Sequence, residues 1–429
     1  MMTAVSVAMI VTFMFLIMTR RLSAMVALVL VPILFAIGLG GAEQLGEMAL
    51  DGIKKLAPTG VMLIFAILYF GIMIDTGLFR PLINTVMRVA GRDPRRVTIG
   101  TVLLAFVVGL DGDSTTAYMV TIAAMLPVYR SLGMDVRILA CLAIMTSAVS
   151  NLFPWGGPTA RAAAALHLDP SGVFKAILPA MGITLIWVII VAWHLGRKTN
   201  LELRSAAPDF PEPTREEVCN DHIWNWQAWC NLALTVALFV ALIFGVLPLS
   251  VLFIVAFCIA ITINFRTLDA QRQLIASHAG NALAVGGLVF AAGIFTGVLN
   301  GTGMAASMAQ DLSRAIPPAM SSYSAIIIAA LSIPFTYLLS NDAFYFGIFP
   351  VLAQTAQGFG LSAQEAAIAA LVGQQFHLLS PLVASTYLLV QLVGIDFAEH
   401  VRFTAKWAAY SCLVFFFALV ATGAMPILI

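Results

Sequence analysis

Charged side chains are scarce in this sequence, and their scarcity decides the class of protein. Only 10% of its 429 residues are Asp, Glu, Lys or Arg, and 61% are hydrophobic. An ordinary soluble domain carries about 25% charged residues, so soluble enzymes and secreted modules are excluded. Because each spanning helix needs about 20 apolar residues, the chain has room for about ten to twelve crossings. The apolar runs are continuous and do not alternate, which predicts an all-α polytopic membrane protein and excludes a β-barrel.

Catalytic and metal-binding motifs are also missing. The five cysteines lack CxxC spacing, and neither HExxH nor GxSxG occurs, so no zinc site, disulfide framework or hydrolase motif is indicated. The Asp111-Gly112-Asp113 sequence superficially resembles a membrane aspartyl protease motif, but it lacks the preceding Gly and a suitable partner Asp. An intramembrane protease is therefore a remote alternative, and we do not expect an enzyme. The net charge of +1 gives no reason to expect a nucleic-acid partner.

One polar stretch divides the chain into two halves. Residues 197–226 combine several charges with prolines that prevent a long helix, and we expect a cytoplasmic linker there. The apolar runs and turn signals predict the following order of segments: N-terminal scaffold helices (1–57), a first inverted repeat (58–196) with an inner hairpin (96–130) and a broken helix (136–167), the linker (197–226), further scaffold helices (227–281), and a second inverted repeat (282–429) with an outer hairpin (321–358) and a broken helix (364–395).

The positions of the positive charges predict the orientation. Cytoplasmic loops of membrane proteins are rich in Lys and Arg, which puts Arg20 and Arg21 inside and the N-terminus outside. Arg130 and Arg137 stay on the cytoplasmic side only if the inner hairpin enters the membrane and returns without crossing it. The same reasoning gives the outer hairpin the opposite sense. We therefore expect a multi-pass protein of the cell inner (plasma) membrane.

A weak internal repeat agrees with this inversion. The string FAILYFGIMIDTGL, which starts at Phe65, matches AAGIFTGVLNGTGM, which starts at Ala291. Further along, LDGD ending at Asp113 matches LSND ending at Asp342. Inverted repeats with broken helices that meet near the midplane are typical of secondary transporters. The pattern therefore predicts a substrate site that opens to the two sides of the membrane in turn.

Two carboxylates mark the predicted tip of the inner hairpin. A charged carboxylate at the bilayer centre costs about 2.5 to 3.5 kcal/mol on insertion scales, so two of them within three residues need a bound cation, a proton, water or a partner. We expect the tip to contact the transported ligand, with the following residues: Asp111, Gly112, Asp113, Ser114 and Thr115. The alternative is that Asp113 or Ser114 caps the returning helix.

The first broken helix offers a site for an anion. Two prolines and two glycines within five residues interrupt the apolar run, and a new helix is expected to start near Thr159 with exposed amides. That positive helix end, reinforced by Arg161, suits a carboxylate. The candidate residues are Asn151, Gly156, Gly157, Pro158, Thr159 and Arg161. The alternative is a kinked packing helix with Arg161 snorkelling to the interface.

The second half repeats the plan. Candidate residues at the outer tip are Ser340, Asn341 and Asp342, and those at the second break are His377, Ser380, Ser385 and Thr386. Asp342 and His377 are the candidate proton carriers because burial or a nearby ion can change their charge. A lone His on an apolar helix is alternatively a hydrogen-bonded core residue.

Four strings carry a family resemblance. They are LDGDSTTAYMVTIAAMLP from Leu110, NLFPWGGPTARAAAAL from Asn151, LSNDAFYFGIFP from Leu339 and HLLSPLVASTYLLV from His377. They closely resemble the bacterial citrate-metal:proton symporter family, CitMHS, of the ion transporter superfamily, and the likeness covers nearly the whole chain. The divalent anion/sodium symporters of that superfamily carry Ser-Asn-Thr at both hairpin tips, where this chain has LDGDST and SND. Carboxylates in place of neutral oxygens fit a site that admits a divalent metal.

The resemblance implies a function. It implies a homodimeric elevator-type carrier in the lipid bilayer that imports citrate complexed with a divalent ion of the Mg²⁺ or Ca²⁺ type, driven by protons and without a permanently bound cofactor. In that scheme the carboxylates of Asp111, Asp113 and Asp342 would contact the metal. The nearest alternative is a proton symporter for gluconate or a C4-dicarboxylate.

Overall fold

The computed structural model describes residues 2–19, 21–40, 42–78, 85–86, 91, 93–206 and 226–429. Of the predicted linker, residues 207–225 lie outside the described residues, as does Arg20, one of the arginines on which the predicted orientation rests. The secondary structure of the described ranges is helical throughout, as the composition predicts.

The first half contains eight α-helices among its described residues. They are α1 (Met2–Met18), α2 (Ala24–Gly38), α3 (Leu45–Asp75), α4 (Pro94–Val108), α5 (Ser114–Ser131), α6 (Val136–Ser150), α7 (Gly157–Ala165) and α8 (Pro170–Ala206). The second half contains α9 (Trp226–Phe244), α10 (Leu249–Asn264), α11 (Leu268–Gly301), α12 (Met304–Ala315), α13 (Pro318–Ser321), α14 (Ser324–Leu338), α15 (Phe349–Gln357), α16 (Ala363–Ala370), α17 (Gln374–His377), α18 (Ala384–Val393) and α19 (Phe397–Ala421).

Several of these helices are long and apolar enough to cross a membrane. Among the described residues five qualify by length and composition: α3, most of α8, α9, α11 and α19. Shorter apolar helices of 10 to 17 residues include α1, α2, α6, α10, α14 and α18. The chain is therefore a multi-pass membrane protein in which hairpin arms and half-helices supply part of the membrane-embedded structure.

The two repeats are visible in the backbone. Helices α3 and α11 carry the matching strings, and each is followed by a threonine C-cap and a glycine. The Thr76 hydroxyl donates to the Ile72 carbonyl at 2.8 Å, and that of Thr302 donates to the Val298 carbonyl at 2.7 Å. The glycines that follow, Gly77 and Gly303, have φ of 72° and 74°, a left-handed conformation that glycine adopts without strain. Equivalent sequences thus end their helices in the same way.

Helices α3 and α11 pack antiparallel along their whole length. Near one end a Cβ on Gly52 would lie 1.9 Å from the Gly293 carbonyl oxygen, and one on Gly297 would lie 2.3 Å from that of Met48. Small residues spaced four apart allow such close approach between membrane helices. Since α3 and α11 are equivalent parts of the repeats, their opposite directions give the repeat its inversion.

Both of these helices begin earlier than their apolar runs indicate. The apolar runs start at residues 58 and 282, whereas α3 starts at Leu45 and α11 at Leu268. The added turns carry charged and polar side chains such as Lys55 and His278, which hydropathy reads as loop. The predicted boundaries after residues 57 and 281 consequently fall inside continuous helices.

The hairpins and broken helices interlock across the repeats. The arms α4 and α5 pack together as the inner hairpin, and α14 and α15 pack together as the outer hairpin. The half-helix α7 of the first repeat packs on α16 and on the π-helical turn 343–348 of the second. In return, α18 of the second repeat packs on α5 and α6 of the first. Hairpin tips and helix breaks of opposite repeats are thereby brought together.

Candidate functional site

The inner tip is folded by its own carboxylates. After α4 a 3₁₀ turn spans Gly109–Asp111, and Gly112 follows with φ of 78°. The Asp113 carboxylate accepts the Thr115 and Thr116 backbone amides at 3.0 and 3.2 Å and thus caps α5. The Asp113 amide in turn donates to Oδ1 of Asp111 at 2.9 Å. The capping alternative is therefore correct for Asp113, which is also exposed at the tip and keeps oxygen lone pairs for a ligand.

The first break is fastened to this tip. The Asn151 side-chain amide donates to the buried Ser114 hydroxyl at 2.9 Å, and the Trp155 indole N–H donates to the Leu110 carbonyl at 2.8 Å. A Cβ on Gly112 would lie 3.1 Å from Cδ1 of Trp155. The predicted residues Gly112, Ser114 and Asn151 are thus brought together by the structure. Trp155 holds them in place, a role that its position in the motif did not reveal.

The break itself needs its glycine and proline. A Cβ on Gly156 would lie 1.9 Å from the Asn151 carbonyl oxygen, so any other residue would displace the backbone. Helix α7 starts at Gly157, two residues before the predicted start, because Pro158 lacks an N–H and fits the first turn of a helix. The Thr159 hydroxyl is fully buried and donates to the Leu152 carbonyl at 2.9 Å. This bond satisfies one of the carbonyls that the break releases.

An ion pair joins the two repeats at this point. Nε of Arg161 lies 2.6 Å from Oδ1 of Asp342, and Nη1 of Arg161 donates to the Gly157 carbonyl at 3.0 Å. The two side chains are only 21% and 18% exposed. A guanidinium held in this way does not snorkel to the interface, so that alternative for Arg161 is not what the geometry favours.

The outer tip rests on the second broken helix. The side-chain amide of Gln374 donates to Oδ1 of Asn341 at 3.1 Å and to the Tyr345 hydroxyl at 3.0 Å. Ser340 accepts the Ala343 amide at 3.2 Å and starts the returning arm. Gln374 and Tyr345 were not predicted, because an amide or phenol within an apolar run carries no signal of its partner.

His377 and Thr386 shape the second break. Nδ1 of the buried His377 lies 2.5 Å from the Thr336 carbonyl oxygen, which requires a proton on that nitrogen. The Thr386 hydroxyl donates to the Leu378 carbonyl, as that of Thr159 does to Leu152 in the first break. Ser380 is buried with its hydroxyl accepting the Leu382 amide, and Ser385 lies half-buried in the first turn of α18. The two repeats therefore match even in the threonine hydrogen bond that holds each helix break.

The three candidate metal-binding carboxylates do not form one cluster. Within the described ranges, no group of three or more His, Cys, Asp or Glu side chains lies close enough to hold a metal ion. Asp111 and Asp113 belong to the inner tip, whereas Asp342 at the outer tip is paired with Arg161. In the part of the chain that the structure describes, the three carboxylates are therefore divided between the two tips.

Two oppositely directed hairpins, two broken helices and an ion pair that joins them define a secondary transporter of the ion-transporter type. The chain belongs to the CitMHS citrate transporter family, whose model matches residues 13–373. It is therefore a membrane transporter and not an enzyme, and the protease alternative is excluded.

Curated relatives span almost the whole chain. A citrate transporter of Bacillus subtilis is 49% identical over 415 residues, 97% of each chain. A second protein of that organism, named Mg(2+)/citrate complex secondary transporter, is 43% identical over 428 residues, 98% of each chain.

Two solved structures share the fold. The YdaH transporter of Alcanivorax borkumensis superposes with a TM-score of 0.63 at 16% identity over 90% of each chain. MtrF of Neisseria gonorrhoeae superposes with a TM-score of 0.62 at 13% identity, over 90% of this chain and 85% of its own. At such identities the likeness concerns the fold alone.

Proposed function

We propose that this chain imports citrate as a complex with a divalent metal ion, coupled to protons, by alternating access. Family membership and the relative named as a Mg(2+)/citrate complex transporter support this substrate. The observation that carries the coupling is the Arg161–Asp342 ion pair, which joins the two repeats.

Asp342 and a citrate carboxylate compete for the same guanidinium. Arg161 lies within α7, close to the start of that helix, where backbone amides already favour an anion. Contacts between arginine and carboxylate are charge-assisted and strong, so citrate has to displace Asp342. A proton on Asp342 removes its charge and frees Arg161. Protonation therefore favours citrate binding, and by reciprocity citrate binding favours protonation.

The metal travels as part of the substrate. Free citrate is about a trianion at neutral pH, and a divalent ion leaves one net negative charge, so less charge has to be desolvated. Mg²⁺ and Ca²⁺ take about six to eight oxygen ligands, and within the described ranges no three His, Cys, Asp or Glu side chains gather at one place to hold a metal. An ion that arrives with citrate oxygens attached needs only a few more. We assign these to the carboxylates of Asp111 and Asp113. Asp342, the third candidate, would contact the metal only through its neutral carbonyl oxygen while it carries the coupling proton.

Neutral groups complete the proposed site. At the first break and the inner tip we assign the Gly157 amide and the hydroxyls of Ser114 and Thr115 to the ligand. Gly112 and Gly156 shape the site through their backbone, since their amides already donate to the Gly109 and Phe153 carbonyls at 3.1 and 2.8 Å. The counterparts of the ligand groups in the second repeat are Ser340, Asn341, Ser380 and Ser385. Thr159, Pro158 and Thr386 act through the backbone, since both threonine hydroxyls are already bound to carbonyls of the breaks.

His377 is the proposed second proton carrier. Its Nδ1 is held by the Thr336 carbonyl, so only Nε2 is free to exchange a proton. Two protons with a singly negative complex move one net positive charge inward. At an inside-negative potential each such charge gains about 2.3 kcal/mol per 100 mV, so we expect electrogenic uptake. The remaining parts of the proposal are an N-terminus outside, the linker inside and a homodimer in the plasma membrane.

Uptake of labelled citrate into proteoliposomes tests the substrate. We expect uptake that requires a divalent ion, stops on chelation and increases with an inward proton gradient. Undiminished citrate uptake in the presence of a chelator would contradict the complexed substrate.

Gluconate and a C4-dicarboxylate, offered as competitors, test the alternative. The comparison is inhibition of labelled-citrate uptake in the absence of a divalent ion. If gluconate or the C4-dicarboxylate inhibits this uptake more strongly than unlabelled citrate does, the chain is a proton symporter for another organic anion.

A further inference from the structure

A cavity of about 530 Å³ lies away from the candidate site, where the turn between α7 and α8 and the loop between α9 and α10 meet the side of α3. One wall is the α3 segment that contains Lys55 and Thr59. The second is the turn between α7 and α8 together with the first turns of α8, including His167 and Lys175. The third is the loop between α9 and α10, residues 245–250. No part of this cavity is used by the transport mechanism proposed above.

The cavity lies at the depth of the membrane interface. Lys55 immediately precedes the apolar run of α3, and Lys175 lies in the second turn of α8, just before its apolar run. The loop residues Val246 and Leu247 are 65% and 45% exposed beside it. Exposed apolar side chains next to cations are suited to a ligand with a charged headgroup and acyl chains.

The charge of the cavity is carried by its lysines. Lys175 makes no ion pair with any described residue, and Nζ of Lys175 lies beside Gly245 across the cavity. Lys55 is paired with Asp51 at 2.7 Å on the exposed surface of α3. Among the lining residues Asp169 supplies one carboxylate, which accepts the Ser171 amide and hydroxyl and is outnumbered by the two lysines. Burial lowers the pKa of His167, and the nearby Lys55 lowers it further, so this ring adds no positive charge at neutral pH.

We infer that this cavity binds the phosphate of an anionic phospholipid, with Lys175 and Lys55 as its cations and the acyl chains over Val246 and Leu247. The cavity is far larger than an inorganic phosphate needs. The exposed apolar side chains of the loop would make no favourable contact with a soluble anion, whereas they can contact acyl chains. A lipid held there connects α3 and the α9–α10 loop with α8, which continues from the first broken helix.

Thermal melting of the purified full chain in a non-ionic detergent tests the site. Added dioleoylphosphatidylglycerol should raise the melting temperature by about 2 °C or more, because a ligand of the folded state stabilises it. Dioleoylphosphatidylcholine and inorganic phosphate should not do so. In Lys175→Gln and in the Lys55→Gln/Lys175→Gln double variant the increase should shrink by more than half.

Lys54→Gln is the matched control, because Lys54 is a neighbouring exposed lysine that does not line the cavity. It should retain the full increase. If the Lys175 variants keep the full increase in melting temperature, the site is wrong. If inorganic phosphate or the zwitterionic lipid raises the melting temperature as much as the anionic lipid does, the anionic lipid is not the specific ligand. If the double variant fails to fold, the single Lys175→Gln variant decides.

Discussion

Nε of Arg161 lies 2.6 Å from Oδ1 of Asp342, although the two residues are 181 positions apart and belong to opposite repeats. Arg161 comes from the half-helix after the first break, and Asp342 from the tip of the outer hairpin. Removing one partner of a buried pair costs about 3 to 5 kcal/mol, because the other charge is left unpaired. Each charge is therefore satisfied only while the pair is intact, and the pair occupies the guanidinium that we propose for citrate.

Arg161→Gln tests both roles of this arginine. We expect a loss of stability of about 3 kcal/mol, because Asp342 is left unpaired, and citrate affinity about 10- to 100-fold lower, because a charge-assisted bond is lost. In the Arg161→Gln/Asp342→Asn double variant stability should return while affinity stays low. Thermal melting and titration calorimetry measure the two effects. A double variant no more stable than the single one would contradict the structural role of the pair.

Asp113→Asn separates capping from metal binding. Asparagine caps a helix about as well as aspartate, so the melting temperature should hardly change while magnesium-citrate affinity decreases about tenfold or more. Asp113→Ala should in addition lose about 1 kcal/mol of stability. The matched control is Asp396→Asn, a carboxylate cap of α19 away from the site. Unchanged affinity in Asp113→Asn, measured by calorimetry, would leave Asp113 as a cap only.

Gly297→Ala tests the contact between α3 and α11. The added Cβ would lie 2.3 Å from the Met48 carbonyl oxygen, which is backbone and cannot move aside alone. Overpacking of this kind costs about 1 to 3 kcal/mol, and the melting temperature should decrease. Gly280→Ala on the same helix meets nothing within 4 Å and should be neutral or slightly stabilising. Equal melting temperatures for the two variants would show that the helices do not depend on this close approach.

Thr159→Val tests the bond that holds the first break. The substitution leaves the Leu152 carbonyl unsatisfied, which costs about 1 to 3 kcal/mol, and citrate uptake should slow because α7 loses its anchor. Thr159→Ser keeps the hydroxyl and should restore both stability and uptake. If valine and serine variants behave alike in melting and transport, the hydrogen bond has no part in shaping the break.

Much of the fold follows from patterns that are local in sequence. The prolines and glycines between Asn151 and Thr159 predict a broken helix, and the structure breaks there. The matching strings from Phe65 and Ala291 predict a repeat, and in the structure both end in a Thr-Gly pair whose glycine is left-handed. Such signals are readable because backbone conformation depends on neighbouring residues.

Contacts between distant residues were not predicted. Nothing near Arg161 or Asp342 in the sequence identifies the other as its partner, because hydropathy depends on local composition and not on which distant residues come into contact. Gln374, which positions Asn341, was missed for the same reason. The early starts of α3 and α11 were missed because polar turns such as those around Lys55 are helical only when a neighbouring helix packs on them. The assigned ligand roles remain predictions.

The measurement that tests the central claim most directly is the number of protons taken up when magnesium-citrate binds. Calorimetric titrations in buffers of different ionisation enthalpy, with the same ligand solution for wild type and Asp342→Asn, give this number, and protons exchanged by the ligand itself cancel in the difference. The account predicts that the variant takes up close to one proton fewer than the wild type. Equal proton uptake in the two proteins would contradict the release of Arg161 by protonation of Asp342.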